Sequence, residues 1–299
     1  MKVRIGFGLG GRIGLEEQSF TGVVDELERI GYDSLWVSER ANSPTLDPMV
    51  AMTWAAARTR KLKVGASVMV LPGRNPVLLA KATASLDVLS NGRALPAFGL
   101  GIANSVEHQA FGIRREERAP WFDEALPLMR RLWDADEATV THHGERFQLD
   151  DVAIAPKPIQ QPIEVWLGGA SDAQLRRVGR LSDGWLPSFT TPAGAQRGKV
   201  VVDDAAARDG RQIDPEHFGV LIPYLDGDLP DAVQELVRAR QPDADPADIV
   251  ARSPAGAAEL MERFVAVGFS KFVLHPFAAP SDWTELLESV ADAVFPLQT

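Results

Sequence analysis

The chain has 299 residues, 45% of them apolar and 24% charged, a globular composition that excludes disorder, collagen-like structure and a disulfide scaffold. Its 31 Lys and Arg against 41 Asp and Glu leave a net charge of −10, which argues against duplex nucleic acid or an anionic membrane surface as a partner. The absence of cysteine removes thiol catalysis, Cys-ligated zinc and iron–sulfur clusters together. No apolar stretch approaches the length of a membrane span, and Met1-Lys2-Val3-Arg4-Ile5 enters a strand-like run without a charged-then-apolar leader. The expectation is a cytoplasmic protein.

Strand-like and helix-like segments then alternate. An apolar run at 3–8 ends in Gly8, Gly10 and Gly11, and Phe20, Val23, Val24, Leu27 and Ile30 recur at helical spacing before Gly31 stops them. A strand at 34–38 follows, then a helix at 48–58, a strand at 63–70 and a helix at 76–89 with proline in its first turn. After Asn91-Gly92 comes a strand at 94–100. Phe122, Ala125, Leu126, Met129, Leu132 and Trp133 trace a helix that Pro127 must kink or begin, and residues 139–162 read as a hairpin with a Pro-rich loop. The alternation resumes with strands at 163–167, 184–187, 218–224 and 271–275. Helices at 172–181, about 193–209, 231–240, 254–267 and 282–294 separate and follow them.

Near-continuous apolar strands between helices imply parallel strands covered by helices. Eight strands are the number of a closed (β/α)8 TIM barrel, so the fold class expected is α/β, one domain over residues 1–299, with an insertion at about 103–162 between strands four and five. Trp36 and Trp185 are expected near the barrel mouth. In the second strand, Val37 is expected to face inward and Trp36 to lie under the helices.

Ligands in such a barrel bind at the C-terminal strand ends. Gly168-Gly169-Ala170-Ser171-Asp172 precedes a helix, where backbone N–H groups can approach a phosphate. Taken alone, those residues also read as a tight turn capped by Asp172. Glu39-Arg40, just past a strand end, offers an acid/base pair or an anion clamp. Gly99-Leu100-Gly101 lacks the third glycine of a dinucleotide fingerprint. The five histidines show no metal-ligand spacing, so no metal site is expected; adjacent His142 and His143 would point to opposite faces of a strand.

Three segments resemble the luciferase-like superfamily of flavin- and deazaflavin-dependent oxidoreductases, over about residues 3–295. They are Lys63 to Pro72 with Asn75-Pro76, Leu86 to Arg93 with Gly99-Leu100-Gly101, and Val165 to Ala170 with Gly179 to Ser188. The nearest likeness is to the actinobacterial branch that uses coenzyme F420. The resemblance implies a flavin ring in the barrel mouth, a non-prolyl cis peptide at Ser67–Val68 supporting it, and a phosphate tail at Gly168, Gly169 and Ala170, with Ser188 and Thr190 next in line. It also implies that Gly8, Gly99 and Gly101 keep the floor open. Many members carry Asp-His where this chain has Glu39-Arg40, and the sugar-phosphate dehydrogenases carry an acid where it has Ile102, so that sugar chemistry is not implied.

The leading expectation is therefore hydride transfer between coenzyme F420 and a small organic substrate. Glu39 is the candidate acid/base, Arg40 its partner or an anion holder, and His275 a second proton-transfer candidate. An FMN-dependent monooxygenase and a non-catalytic flavin-binding barrel are the alternatives. Relatives often dimerise through flank helices, and the apolar faces at Met49-Val50-Met52-Thr53 and Val77-Leu78 suit a homodimer.

Overall fold

A computed structural model, describing residues 1–299 apart from the side chain of Ser105, places the apolar runs in parallel strands. The strands are β1 (Arg4–Leu9), β2 (Ser34–Val37), β3 (Lys63–Ala66), β4 (Met69–Val70), β5 (Ala94–Leu95), β6 (Ala97–Gly99), β7 (Val140–His143), β8 (Gln148–Val152), β9 (Trp166–Leu167), β10 (Gly184–Trp185), β11 (Gly219–Tyr224) and β12 (Lys271–Pro276). The helices are α1 (Glu17–Ile30), α2 (Pro48–Arg58), α3 (Pro76–Ser90), α4 (Ser105–Ala110), α5 (Arg118–Trp133), α6 (Asp172–Leu181), α7 (Pro192–Arg208), α8 (Asp231–Arg240), α9 (Pro254–Val265) and α10 (Trp283–Val294).

One sheet runs β11-β12-β1-β2-β3-β5 and a second runs β10-β9-β6-β4, with every ladder parallel. Isolated parallel bridges pair Trp185 with Phe218 and Ser188 with Leu221. Each strand position read from the sequence is occupied, and α2, α6 and α8 have the expected bounds. Pro127 lies inside α5, which runs unbroken from Arg118 to Trp133. The hairpin is real, with β7 and β8 antiparallel, and its adjacent histidines diverge as alternation requires: His142 meets Glu124 and His143 meets Asp150.

The sheets have two apolar faces. Ile5, Phe7, Leu35, Val37, Phe272 and Leu274 pack outward into the large core under the helices. A smaller cluster on the opposite face holds Trp36, Leu95, Ala97, Trp166, Leu186, Leu221 and Val273. The alternation in β2 is thus the reverse of the expectation: Trp36 lies in the inner cluster and Val37 under the helices. Glycine decides this. A Cβ on Gly65 would stand 2.7 Å from the Trp36 ring, one on Gly6 would stand 3.1 Å from its Nε1, and one on Gly184 would stand 2.6 Å from the Trp166 ring. Two indoles fill space that side chains on these strands would otherwise take.

Neither of the tryptophans expected near the mouth lines it. The Trp36 ring is 5.9 Å from Lys271 Nζ, at the N-terminal end of β12, on the side of the sheet remote from the C-terminal strand ends. Trp185 packs among Phe269 and Gly198 in the outer core and donates its Nε1–H to the Gly169 carbonyl at 2.9 Å.

That N-terminal side also holds a buried ion cluster absent from the sequence reading. Lys271 donates to Asp33 Oδ2 at 2.9 Å, Lys63 donates to Oδ1 at 3.1 Å, and both Asp33 and Lys271 are almost fully covered.

Candidate functional site

Loops at the C-terminal ends of the parallel strands surround a cavity of about 400 Å³. Its floor is apolar, formed by Val68, Val70, Phe98, Leu167 and Leu221, and its rim carries charged and polar groups. Such a concave, mixed lining is what a planar aromatic ligand with a polar tail requires. Ser67–Val68 is a cis peptide, as the resemblance implied. Gly99 and Gly168 flank the Val68 side chain: a Cβ on Gly99 would stand 2.5 Å from Val68 Cγ2 and one on Gly168 would stand 3.4 Å from Cγ1. Two buried polar atoms along the lining, Ser67 Oγ and Glu107 Oε1, find no hydrogen-bond partner among the described residues.

Ten of the residues singled out from the sequence line this cavity: Glu39, Arg40, Ser67, Val68, Gly99, Gly101, Gly168, Gly169, Ser188 and His275. Gly8 lies beneath it, where a Cβ would meet the His275 Cβ and Val273 Cγ1 at 3.1 Å. Ala170 and Thr190 are set back from the lining; the Thr190 side chain is buried and donates to the Thr191 carbonyl at 3.4 Å.

Glu39 is held rather than free. Its side chain is 6% exposed, Val70 N–H donates to Oε2 at 2.6 Å, and Arg74 donates to Oε1. Burial pushes its carboxyl above the ordinary range, with the Arg74 guanidinium and the Val70 N–H working against that. Arg40 lies along the backbone of the loop after β1, with its Cγ 3.0 Å from where a Gly11 Cβ would stand. His275 is the penultimate residue of β12, and burial, aided by the charge of Arg240, lowers its pKa to about 4. It is therefore a neutral imidazole at pH 7, able to accept a proton or, through its N–H, to hydrogen-bond a substrate oxygen.

Sequence reading missed four lining groups. Glu107, on the short α4, is buried and accepts the Ala41 N–H on Oε2 at 3.4 Å. Gln174 folds back over Gly169, and its Oε1 accepts the N–H groups of Ala170 and Ser171 at 3.2 and 3.1 Å. A side-chain oxygen thus sits where an anionic oxygen would be received, and the Ser171–Gln174 capping box announces this in sequence. Arg12 and Arg240 reach the rim from the loop after β1 and from α8. Nothing local marks Arg240, because only the tertiary fold carries α8 over the cavity.

Residues 7–272 match the luciferase-like monooxygenase family. The chain belongs to that family. It is 29% identical over 171 residues to an F420-dependent glucose-6-phosphate dehydrogenase of Kineococcus radiotolerans, a match covering 54% of this chain and 49% of that one. The chain spans about half the length of the first curated relatives it matches, that dehydrogenase and its Amycolatopsis mediterranei counterpart. An F420-dependent secondary alcohol dehydrogenase, solved with an F420–acetone adduct, superposes with a TM-score of 0.81 at 22% identity, over 98% of this chain and 99% of that one. The oxygenating constituent of 3,6-diketocamphane monooxygenase from Pseudomonas putida, solved with FMN, superposes with a TM-score of 0.76 at 19% identity, over 100% and 99%. These structural likenesses establish the α/β fold that family members share.

Proposed function

We propose that this chain is an oxidoreductase that moves a hydride between coenzyme F420 and a small organic substrate. The observation that carries the reading is the cavity at the strand ends: an apolar floor around Val68, glycines on either side of it, and the family's F420-dependent relatives. The eight strand positions close into one (β/α)8 barrel, a reading supported by the bridges between the β10 segment and β11. That barrel is a single domain of residues 1–299, with the excursion at about 103–162 supplying α5 to the helix layer.

Reduced F420, when bound, supplies a hydride, so a carbonyl substrate gains two electrons at carbon and needs one proton at oxygen. The protein's part is position, a covered floor and that proton. Val68, Gly99 and Gly168 would seat the ring, Gly101 would leave its edge clear, and Gly169 with Ser188 would receive the phosphate tail once Gln174 swings aside. Glu39, with its raised pKa, is the acid/base at the substrate oxygen, and Arg74 fixes its position. His275, neutral and beside the rim, is the second group able to relay that proton.

Absorbance titration of the purified apoprotein with F420 and with FMN tests the reading, and tight F420 binding with weak FMN binding supports it. The FMN-bound relative favours a second reading, an FMN-dependent monooxygenase, which would bind FMN tightly and consume oxygen once reduced. Glu39→Gln should lower kcat by about 10²–10⁴-fold, the worth of general acid–base help, with cofactor affinity nearly unchanged. Wild-type turnover in that variant moves the proton to His275.

The flank helices α2 and α3 leave Val50 and Leu78 65% and 68% exposed, and the reading includes a homodimer formed across them in the cytoplasm. No helix among the described residues is long and apolar enough to cross a membrane. Mass measurement at micromolar concentration should give twice the chain mass, and Val50→Asp/Leu78→Asp should give the single-chain mass.

A further inference from the structure

The rim of the cavity carries three arginines. Arg12 follows β1, Arg40 follows β2 and Arg240 ends α8, and all three line the same cavity. The fourth arginine lining the cavity, Arg177, is already neutralised by Asp123 at 2.6 Å, and Arg74 close by is paired with Glu39. Arg12, Arg40 and Arg240 form no ion pair among the described residues; burial disfavours the charge on Arg240, and the charges of Arg40 and Arg12 add to that. The carboxylates lining the cavity do not relieve them. Glu39 is spent on Arg74, and Glu107 accepts the Ala41 N–H with no cation paired to it among the described residues.

The surrounding structure holds this arrangement in place. The Arg240 guanidinium lies 4.2 Å from the centroid of the Phe189 ring, a cation–π contact that pins it over the cavity. The glycine pair after β1 leaves room for His275 and Arg40. A Cβ on Gly10 would stand 3.3 Å from His275 Nδ1, and one on Gly11 would stand 3.0 Å from Arg40 Cγ. In a chain of net charge −10, three converging cations without a counter-ion are an unfilled electrostatic demand. Guanidinium groups answer it best with planar or tetrahedral oxyanions, which they engage by paired hydrogen bonds.

We infer that Arg12, Arg40 and Arg240 bind the anionic group of the substrate, a carboxylate or a phosphate monoester, and so restrict the enzyme to small anionic carbonyl or alcohol compounds. This rests on the functional reading above, in which the cofactor occupies the floor and the Gly168-Gly169 turn. His275 lies next to the cluster, so an anion held there places the neighbouring substrate carbon beside a proton-transfer group. The same chemistry has a second source, the anionic tail of the cofactor itself, and the experiment separates the two.

Calorimetric titration of the wild-type protein with inorganic phosphate at low salt is run with and without saturating F420. The same titrations are made on Arg12→Gln, Arg40→Gln, Arg240→Gln and the Arg12→Gln/Arg240→Gln pair. Expected are phosphate binding that persists in the F420-loaded protein, a Kd raised about tenfold in each single variant and further in the pair, and an unchanged thermal midpoint. Loss of phosphate binding on loading with F420 assigns the cluster to the cofactor tail and overturns the inference. So does equal phosphate affinity in wild type and variants. Binding of F420 to the wild type is read first and separately; its failure removes the functional reading, while the phosphate comparison still decides whether the arginines form an anion site.

Discussion

Gly169→Asp is expected to weaken F420 binding by at least about 10²-fold while the protein still folds. Gly169 sits at φ +108°, where only glycine rests without strain, and a Cβ there would stand 2.8 Å from the Gln174 Cβ and Cδ. Any side chain therefore pushes Gln174, and with it the Ser171 cap whose N–H groups open α6. A carboxylate adds like charge at the turn proposed to receive the phosphate tail. Hydrogen bonds to a charged group are worth about 1.5–3 kcal/mol each, so the loss of two accounts for the stated factor. Gly169→Ala separates bulk from charge and should lose less. Fluorescence titration with F420 reads both variants, and unchanged affinity in Gly169→Asp removes the phosphate from this turn.

Asp33→Ala is expected to cost about 3–5 kcal/mol of stability, the usual penalty for leaving one member of a buried pair behind. The remaining member is Lys271, covered by protein and 5.9 Å from the ring centroids of Trp36 and Trp166. Burial already pulls its pKa down, with Asp33 opposing that. Asp33→Ala/Lys271→Met should recover most of the loss, because a thioether suits the space between two indoles. Denaturant titration measures all three proteins.

The same cluster sets an acid limit. Burial pushes the Asp33 carboxyl up, but Lys271 and Lys63 outweigh it and hold the pKa at about 2, below the ordinary 3.8. A carboxyl lowered on folding contributes stability that is complete above its unfolded pKa and disappears as pH falls through the folded one. Wild-type stability should therefore drop between about pH 4 and pH 2, and that drop should be missing from Asp33→Asn.

How much of this was legible beforehand follows from where the information lies. Apolar runs bounded by glycine and proline marked the strands and helices, because burial on both sheet faces demands continuous hydrophobic residues and helix ends need particular caps. The strand-end rule then carried most of the candidate residues to one cavity, since Glu39, Gly99, Gly168 and His275 each follow or end a strand. The facing of β2 was not legible. Trp36-Val37 alternates equally well either way, and the choice fell to Gly6 and Gly65 on neighbouring strands, which leave space for an indole on one side only.

Long-range partners escaped for the same reason. Lys271 and Asp33 are 238 positions apart, and each looks like an ordinary surface charge until parallel pairing sets β12 and β2 on either side of β1. Arg240 ends a helix whose pattern says only that one face is buried, and folding alone brings it to Arg12, Arg40 and the mouth of the cavity. The sequence by itself determined the order of elements, the family and the strand ends that surround the cavity, all set by local periodicity and short motifs. Which side chains turn inward, which charges find partners and which are left open to a ligand was decided only in the tertiary structure, because those outcomes depend on the space and charge that distant segments bring together.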